Sequence, residues 1–455
     1  MESHLLKLAV VGHTNVGKTS LLRTLIRNTS FGTVSNRPAT TRHAEAVPLD
    51  LGEGFGFELI DTPGFEDSSG LLDLILSLQR DARESGAEIL QRFLANPAAD
   101  GEFAQEAKAI RQMLICDLML LVIDAREPVL GKYVDEFRLL GRLGKPCVVV
   151  LNFTAKATAD TARWRGAAQQ AGLYNVTAFD TVVFDRLDEQ SLWQQIELLV
   201  PAAVEHCQRL LALRAQTLQM QRAVGAKMIA RMLLDCTALR SQAQSDLETR
   251  VREVEAALHT DLLRVYEFNE EDYAAREIPL PSMRWSWSPF APEVLEEFGL
   301  SLGISAAKGA AVGATVDAFT AFHSLGLATL IGAGIGAGLD AATRFGKALR
   351  ERLGDIAYLQ IELGVALLLA RRAVELVRDL EHRGHAALST VSARAVLATP
   401  LFNEPTLTRL LEKCQRHPDW SGLAQTAAQD NQARAKTLAS VTQVIVAAFA
   451  ADSRL

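Results

Sequence analysis

The sequence predicts an α/β domain, with a mostly parallel sheet and helices on both faces, followed by an all-α region. Two observations support this fold class. Over residues 1–203, short apolar runs suited to buried strands alternate with helical patterns, and after Pro201 the pattern changes to long helices. Continuous apolar strands separated by helices are typical of a parallel sheet covered on both faces. The chain has 455 residues, 49% of them hydrophobic, which is enough for two or three domains.

Five apolar runs are predicted as the strands of the first domain: LLKLAVVG, GFGFELIDTPG, LMLLVIDA, KPCVVVLNF and VTAFDTVVFD. The second and third runs are separated by a long stretch with helical patterning, which we interpret as an insertion at about residues 65–115. Connections in such domains are usually much shorter. The insertion is either a passive addition or an element that transmits a conformational change or docks a partner.

The first strand leads into GHTNVGKTS, residues 12–20, which has the spacing of a phosphate-binding loop. The pattern G-x-x-x-x-G-K-[ST] is matched by Gly12, Gly17, Lys18 and Thr19. Glycines let backbone N–H groups close around phosphates at a helix N-terminus, where the helix dipole also favours anions. Lys18 is predicted to reach the β and γ oxygens, and the Thr19 hydroxyl to ligate Mg²⁺. The other residues of the predicted nucleotide cradle are Thr14, Asn15, Val16 and Ser20.

Two further motifs lie where a nucleotide-sensing protein needs them. DTPG ends the second predicted strand, so Asp61 is predicted to hold the magnesium through water and the Gly64 N–H to meet the γ-phosphate. NRPATTRH, residues 36–43, lies between the two motifs. A threonine there can bring oxygen to Mg²⁺ only in the triphosphate state. Thr41 is the first choice for this role, and Thr40 is the alternative.

These residues resemble the translation-factor-class GTPases, specifically the TrmE–Era–EngA branch. TNVGKTS resembles the phosphate loop of that branch, TTRH its first switch and DTPGF its second, over about 200 residues. The resemblance implies GTP as the substrate and Mg²⁺ as the cofactor. It also implies a potassium ion bound through Asn15. Phe65 stands where many GTPases place a water-orienting glutamine, so slow basal hydrolysis is expected.

The base-recognition motif departs from this resemblance. GTPases normally follow the fifth strand with N-K-x-D, whose aspartate binds guanine, whereas this chain has Asn152, Phe153, Thr154 and Ala155. Alanine cannot accept those hydrogen bonds, although Phe153 could cover the base face. Asp180 follows the next strand, and we consider two interpretations: it supplies the missing carboxylate, or it is a solvated loop residue.

The C-terminal half divides by pattern into an amphipathic helical region (204–277), a Pro/Trp linker (278–294), a Gly/Ala-rich apolar hairpin (295–345) and a further helical region (346–455). Residues 318–339 contain no Asp, Glu, Lys or Arg, a length that can span a bilayer. The hairpin is either buried in a helical domain or released to a membrane according to nucleotide state. Trp285 and Trp287 are candidate interfacial anchors.

Charge and composition limit the choice of partners. A net charge of −7 and the absence of a basic block argue against nucleic acid, so an RNA- or ribosome-associated role is a distant alternative. Five cysteines without CxxC spacing favour a reducing cytoplasm. The predicted function is therefore a cytoplasmic GTP-hydrolysing switch, with peripheral attachment to the inner membrane as an option. Its helical region would engage a membrane or protein partner. A nucleotide-binding scaffold with negligible hydrolysis is the alternative, and a nucleotide-dependent homodimer is left open.

Overall fold

The computed structural model describes residues 5–27, 46–81, 83–268, 358–384, 404–423 and 431–450. The chain divides into two compact units. The first comprises Met1–Gln219, Glu267–Arg276 and Glu381–Val391, and the second Met220–Tyr266, Glu277–Leu380 and Ser392–Leu455.

A six-stranded sheet forms the centre of the first unit. Its strands are β1 (Leu6–Val11), β2 (Ala46–Gly52), β3 (Phe55–Asp61), β4 (Leu118–Asp124), β5 (Cys147–Asn152) and β6 (Val176–Ala178). The spatial order is β2-β3-β1-β4-β5-β6, and every neighbouring pair is parallel except β2 with β3. This order places the carboxyl ends of β1, β3, β4 and β5 at the same edge of the sheet, where ligands bind in open α/β folds.

Helices cover both faces of the sheet, as the sequence predicts. They are α1 (Lys18–Ile26), α2 (Ser68–Ser77), α3 (Gly86–Leu94), α4 (Ala104–Ile115), α5 (Gly131–Arg142), α6 (Thr161–Gln170) and α7 (Arg186–Leu199). Alternate residues of β4 belong to two separate buried clusters: Leu121 to the one containing Trp164, and Leu120 to the one containing Trp193. The strand side chains therefore point alternately to two cores, which explains the continuous apolar runs.

The strand β2 is missed by the sequence reading. Its residues alternate between exposed and half-buried, with only Leu51 buried, and Pro48 interrupts the apolar run. Proline is tolerated here because β2 is an edge strand, where one side of the backbone needs no ladder partner. The last predicted strand is also shorter than expected, since only Val176–Ala178 of VTAFDTVVFD is extended in the sheet.

The predicted insertion contains three helices, α2, α3 and α4. A capping box begins α3, in which the Ser85 hydroxyl accepts from the Glu88 N–H and the Glu88 carboxylate accepts from the Ser85 N–H. Apolar residues of the three helices pack into the same cluster as one face of β4. The insertion is thus part of the core of the first unit.

The remaining described α-helices are α8 (Val204–Ala238), α9 (Gln244–Val265), α10 (Leu363–Glu381), α11 (Glu404–Gln415) and α12 (Gln432–Ala450). The described part of the amphipathic helical region predicted at 204–277 contains two helices, since α8 ends at Ala238 and α9 begins at Gln244. In the second unit, the buried Asp235 carboxylate accepts hydrogen bonds from the Gly422 N–H at 2.8 Å and from Arg434 at 2.9 Å. Within the described ranges, no helix combines the length and apolar character needed to cross a membrane.

Several predictions lie outside the described residues. They concern Thr40, Thr41, the linker at 278–294 and the apolar hairpin at 295–345.

Candidate functional site

The phosphate-binding loop connects β1 to α1 and has unusual backbone conformations at three residues. Gly12, Asn15 and Gly17 have φ angles of 139°, 68° and 98°. A Cβ atom on Gly12 would lie 2.4 Å from the Val122 carbonyl oxygen, and one on Gly17 would lie 2.3 Å from Asn152 Nδ2. Both glycines are therefore required by close approach as well as by backbone conformation.

Thr19 and Asp61 are brought together although they are distant in sequence. The Thr19 hydroxyl donates to Asp61 Oδ2 at 3.0 Å. Thr19 lies in the first turn of α1 and Asp61 is the last residue of β3, so the parallel pairing of β1 with β3 places them side by side. A hydroxyl and a carboxylate are oxygen ligands of the kind that Mg²⁺ prefers.

Lys18 lies beneath the loop, and its ammonium group donates to the carbonyl oxygens of Gly12 and His13 at 3.0 and 2.8 Å. Burial lowers the pKa of Lys18, whereas the nearby carboxylates of Asp61 and Glu136 raise it. Gly64 packs against the same loop, because a Cβ atom there would lie 2.8 Å from Thr14 Oγ1 and 3.1 Å from Lys18 Nζ. The DTPG turn and the phosphate loop are thus in contact.

Asn152 connects the base motif to the phosphate loop. This fully buried side chain donates to the Val16 carbonyl at 3.0 Å and accepts from the Thr181 N–H and hydroxyl at 3.0 and 3.1 Å. Three segments distant in the chain therefore meet at one amide. Phe153, the next residue, has a φ angle of 58°. Its ring lies 4.0 Å from the guanidinium of Arg126, which Asp124 holds by a two-point ion pair.

Asp180 lies beside the position of the missing aspartate. Its Oδ2 accepts from the Ala155 N–H at 2.9 Å, and its Oδ1 accepts from the N–H groups of Val182 and Val183 at 2.9 and 3.0 Å. Asp180 is only 4% exposed, so the interpretation as a solvated loop residue is wrong. In the sequence, the position of Asp180 is indicated by its place two residues after β6, the strand that pairs with β5.

Phe65 is buried in the core of the first unit, with 1% of its surface exposed. The two residues after Phe65 are hydrogen-bonded to α4. One carboxylate oxygen of the buried Glu106 on this helix accepts from the N–H groups of Glu66 and Asp67 at 3.0 and 3.2 Å. Sequence reasoning missed this contact because nothing in the pattern of α4 distinguishes Glu106 from a solvent-facing residue.

A second missed cluster lies between the phosphate loop and α5. Lys132 Nζ is 3.1 Å from His13 Nε2, and Glu136 is fully buried one turn further along the helix. Among the described residues, neither carboxylate oxygen of Glu136 has a hydrogen-bond partner. Burial raises the pKa of Glu136 to about 8, against the lowering influence of Lys18 and Lys132. Burial lowers the pKa of His13, as do Lys132 and Lys18.

Two family profiles match this chain. Residues 7–153 match the family described as "50S ribosome-binding GTPase". Residues 165–443, more than half of the chain, match the family described as "Domain of unknown function (DUF3482)". The chain belongs to the DUF3482 family. The DUF3482 range includes Asp180 and begins before β6, so it takes in the last strand of the sheet as well as the helical region.

This DUF3482 protein is similar to curated GTPases over its N-terminal part. GTPase Der from Akkermansia muciniphila is 31% identical over 147 residues, covering 32% of this chain and 26% of that protein. The tRNA modification GTPase MnmE from Moorella thermoacetica is 47% identical over 70 residues, 15% of each chain. The chain thus spans about a quarter or less of the length of these two relatives.

Among solved structures, an Aquifex aeolicus Era variant bound to GDP.AlF4⁻ is 20% identical, with a TM-score of 0.31, over 44% of this chain and 58% of Era. The GTPase profile and the named relatives confirm the predicted resemblance to the TrmE–Era–EngA branch. They also confirm an N-terminal P-loop GTPase fold followed by a helical region.

The roles assigned to individual site residues in this DUF3482 protein stay predictions. On the phosphate side, Lys18, Thr19, Asp61 and Gly64 lie together at one edge of the sheet, and the exposed Asn15 is on the loop beside them. Val16 contributes its carbonyl to the bond with Asn152, and Ser20 lies on α1. The base side combines Asn152 and Phe153 with two residues the sequence reading did not select, Arg126 and Thr181.

Proposed function

We propose that this protein is a Mg²⁺-dependent GTP-binding and GTP-hydrolysing switch. The observation that carries the proposal is the convergence of Lys18, Thr19 and Asp61 at the carboxyl ends of β1 and β3, within a chain that matches a GTPase family. Backbone N–H groups of the loop and the start of α1 bind the phosphates, and Lys18 provides the positive charge for the β and γ oxygens.

The residues present fit a magnesium ion. Thr19 Oγ1 would ligate it directly and Asp61 would hold it through water, since their oxygens are already 3.0 Å apart. Bound Mg²⁺ supplies neutralisation of the charge on the β- and γ-phosphates. Gly64 lies against the phosphate loop, which supports the proposal that its N–H responds to the γ-phosphate. Thr41 is proposed as the corresponding group of the first switch.

Guanine recognition is proposed to rest on Asp180. Its Oδ2 accepts one hydrogen bond from Ala155, and a carboxylate oxygen can accept two. The remaining acceptor position would accept a hydrogen bond from the guanine N1–H or the exocyclic amine. Phe153, held under Arg126, would cover one face of the base.

Hydrolysis is proposed to be slow without assistance. Phe65 is buried in the core and carries no group that can orient a water molecule. Potassium bound through Asn15 would supply positive charge near the phosphates, as the family resemblance implies. The second candidate, a nucleotide-binding scaffold with negligible turnover, is favoured by the same burial of Phe65.

A turnover assay in K⁺ and in Na⁺ tests this proposal. We expect slow Mg²⁺-dependent GTP hydrolysis that increases in K⁺, and loss of both binding and hydrolysis in Lys18→Ala. The control is Lys227→Ala, which removes an exposed lysine on α8. GTP binding without hydrolysis in either salt would favour the scaffold, and absence of GTP binding would refute both candidates.

We propose that the helical region communicates nucleotide state to a membrane or protein partner. The buried Glu106 supports such a connection on the G-domain side, because it attaches the insertion to the segment after the second switch. Liposome flotation with GDP and with a GTP analogue decides between the partners: lipid association in either state favours a membrane, and its absence in both favours a protein.

A further inference from the structure

A short segment following α10 is hydrogen-bonded to the loop that carries Asp180. This segment, Glu381–Gly384, is called the strap here, and it belongs to the first compact unit although the preceding residues of α10 do not. The Gly384 N–H donates to the Val182 carbonyl at 3.1 Å, and the Phe184 N–H donates to the His382 carbonyl at 2.9 Å. Val183 and Arg383 form an antiparallel bridge between these two bonds. The strap is therefore paired like a short strand with residues 182–184.

An ion pair between a buried carboxylate and a partly exposed guanidinium anchors the strap at its beginning. Arg186, the first residue of α7, contacts Glu381 at 2.7 Å, and the Glu381 side chain is only 4% exposed. Charged groups are seldom buried this deeply without a partner of opposite sign. The pair therefore fixes the strap against the end of the same loop.

The strap also approaches the loop more closely than any side chain would allow. A Cβ atom on Gly384 would lie 1.9 Å from the Thr181 carbonyl oxygen and 2.6 Å from its carbonyl carbon. Thr181 donates its N–H and hydroxyl to Asn152, and its neighbour Asp180 accepts from Ala155. Displacing the Thr181 carbonyl would consequently disturb Asp180, the proposed guanine acceptor, and Asn152, which precedes Phe153.

We propose that the strap is a positioning element for guanine recognition, so that Gly384 and the Arg186–Glu381 pair set the preference for GTP. This inference rests on the proposed function, in which Asp180 receives the guanine. The base site then includes a segment about 200 residues after the Asp180 loop in the sequence. The strap and the Asp180 loop both lie within the DUF3482 range, residues 165–443, whereas the GTPase profile ends at residue 153. The described link from the strap to the phosphate loop runs through Thr181 and Asn152, whose amide donates to the Val16 carbonyl, so phosphate binding should change much less than base binding.

The test compares base-dependent and base-independent binding in the full-length chain. Gly384→Ala is expected to weaken GTP binding by about tenfold or more, the loss expected when base hydrogen bonds are misaligned. The preference for GTP over ATP should fall with it. Affinity for Mg²⁺-tripolyphosphate, which has no base, should stay within about twofold. The control is Gly166→Ala on α6, where an added Cβ meets nothing within 4 Å.

A second variant keeps the test decisive if Gly384→Ala fails to fold. Glu381→Gln preserves the shape of the side chain and removes the charge that Arg186 binds, and its control is Glu248→Gln, which breaks a more exposed pair with Arg252 on α9. Loss of GTP preference with unchanged tripolyphosphate affinity supports the strap. Unchanged GTP preference in a folded strap variant overturns it. A wild-type chain that binds tripolyphosphate but does not prefer GTP refutes the proposed function instead.

Discussion

Glu136 has an environment that opposes its ionisation. The side chain is fully buried, and in the described part of the chain its two oxygens accept no hydrogen bond. Burying a carboxylate under these conditions is costly, so the group retains its proton to a higher pH. The two nearby lysines, Lys18 and Lys132, only partly offset this effect on the pKa of Glu136.

Glu136→Gln should therefore change the pH dependence of stability. The pKa of Glu136 is raised from 4.5 to about 8 in the folded chain. The folded state then binds the proton more tightly than the unfolded state, and this contribution is complete below pH 4.5 and lost as the pH rises through about 8. Glutamine removes this contribution, so the stability of the variant relative to the wild type should increase as the pH rises from 5 to 8.5. The measurement is the free energy of unfolding at both pH values.

The control is Glu253→Gln, which changes an exposed glutamate on α9 and is measured at the same two pH values. A Glu136→Gln difference from the wild type that is the same at both pH values would contradict the assigned environment.

At the scale of elements, the junction of α8, α12 and the 3-10 turn Pro418–Trp420 depends on Asp235. This carboxylate binds Gly422 and Arg434, and Arg434 also donates to the Trp420 carbonyl at 2.7 Å. Removing one partner from a buried pair leaves the other charge without compensation. Asp235→Ala should lower the free energy of unfolding by about 3 kcal/mol, measured by denaturant titration.

The control for Asp235→Ala is Asp261→Ala, which removes a largely exposed contact with Arg264 on α9. That change should be below about 1 kcal/mol. Equal effects of the two substitutions would show that the junction does not depend on Asp235.

Elements differed in how well the sequence predicted them. The strands β1, β3, β4 and β5 were predictable because each is a buried apolar run, and the phosphate loop because its glycines have a defined spacing. The edge strand β2 gives no such run. The site was predictable where one motif contains all its residues. The base side was predicted only in part. Asn152, Phe153 and Asp180 were candidates, whereas Arg126, Thr181 and the strap approach these residues only through tertiary contacts.

At the scale of the whole molecule, the GTPase resemblance and the DUF3482 range meet within one sheet. The GTPase profile includes β1 to β5 and ends at Phe153, while β6 and Asp180 belong to the DUF3482 range. The departure from N-K-x-D therefore begins where the general GTPase pattern ends. Because Asp180 lies in the DUF3482 range and outside the GTPase profile, we expect base recognition in this chain to differ from that of other GTPases.

We propose that GTP is the ligand, with Asp180 in place of the usual base-binding aspartate. Equilibrium competition among GTP, ATP and XTP tests it most directly, using the wild type and Asp180→Asn. A carboxylate accepts from guanine, whereas an amide can donate to the extra carbonyl of xanthine. We predict that the wild type prefers GTP by at least tenfold and that Asp180→Asn shifts the preference towards XTP. Equal binding of the three nucleotides by the wild type, or an unchanged GTP preference in Asp180→Asn, would contradict the claim.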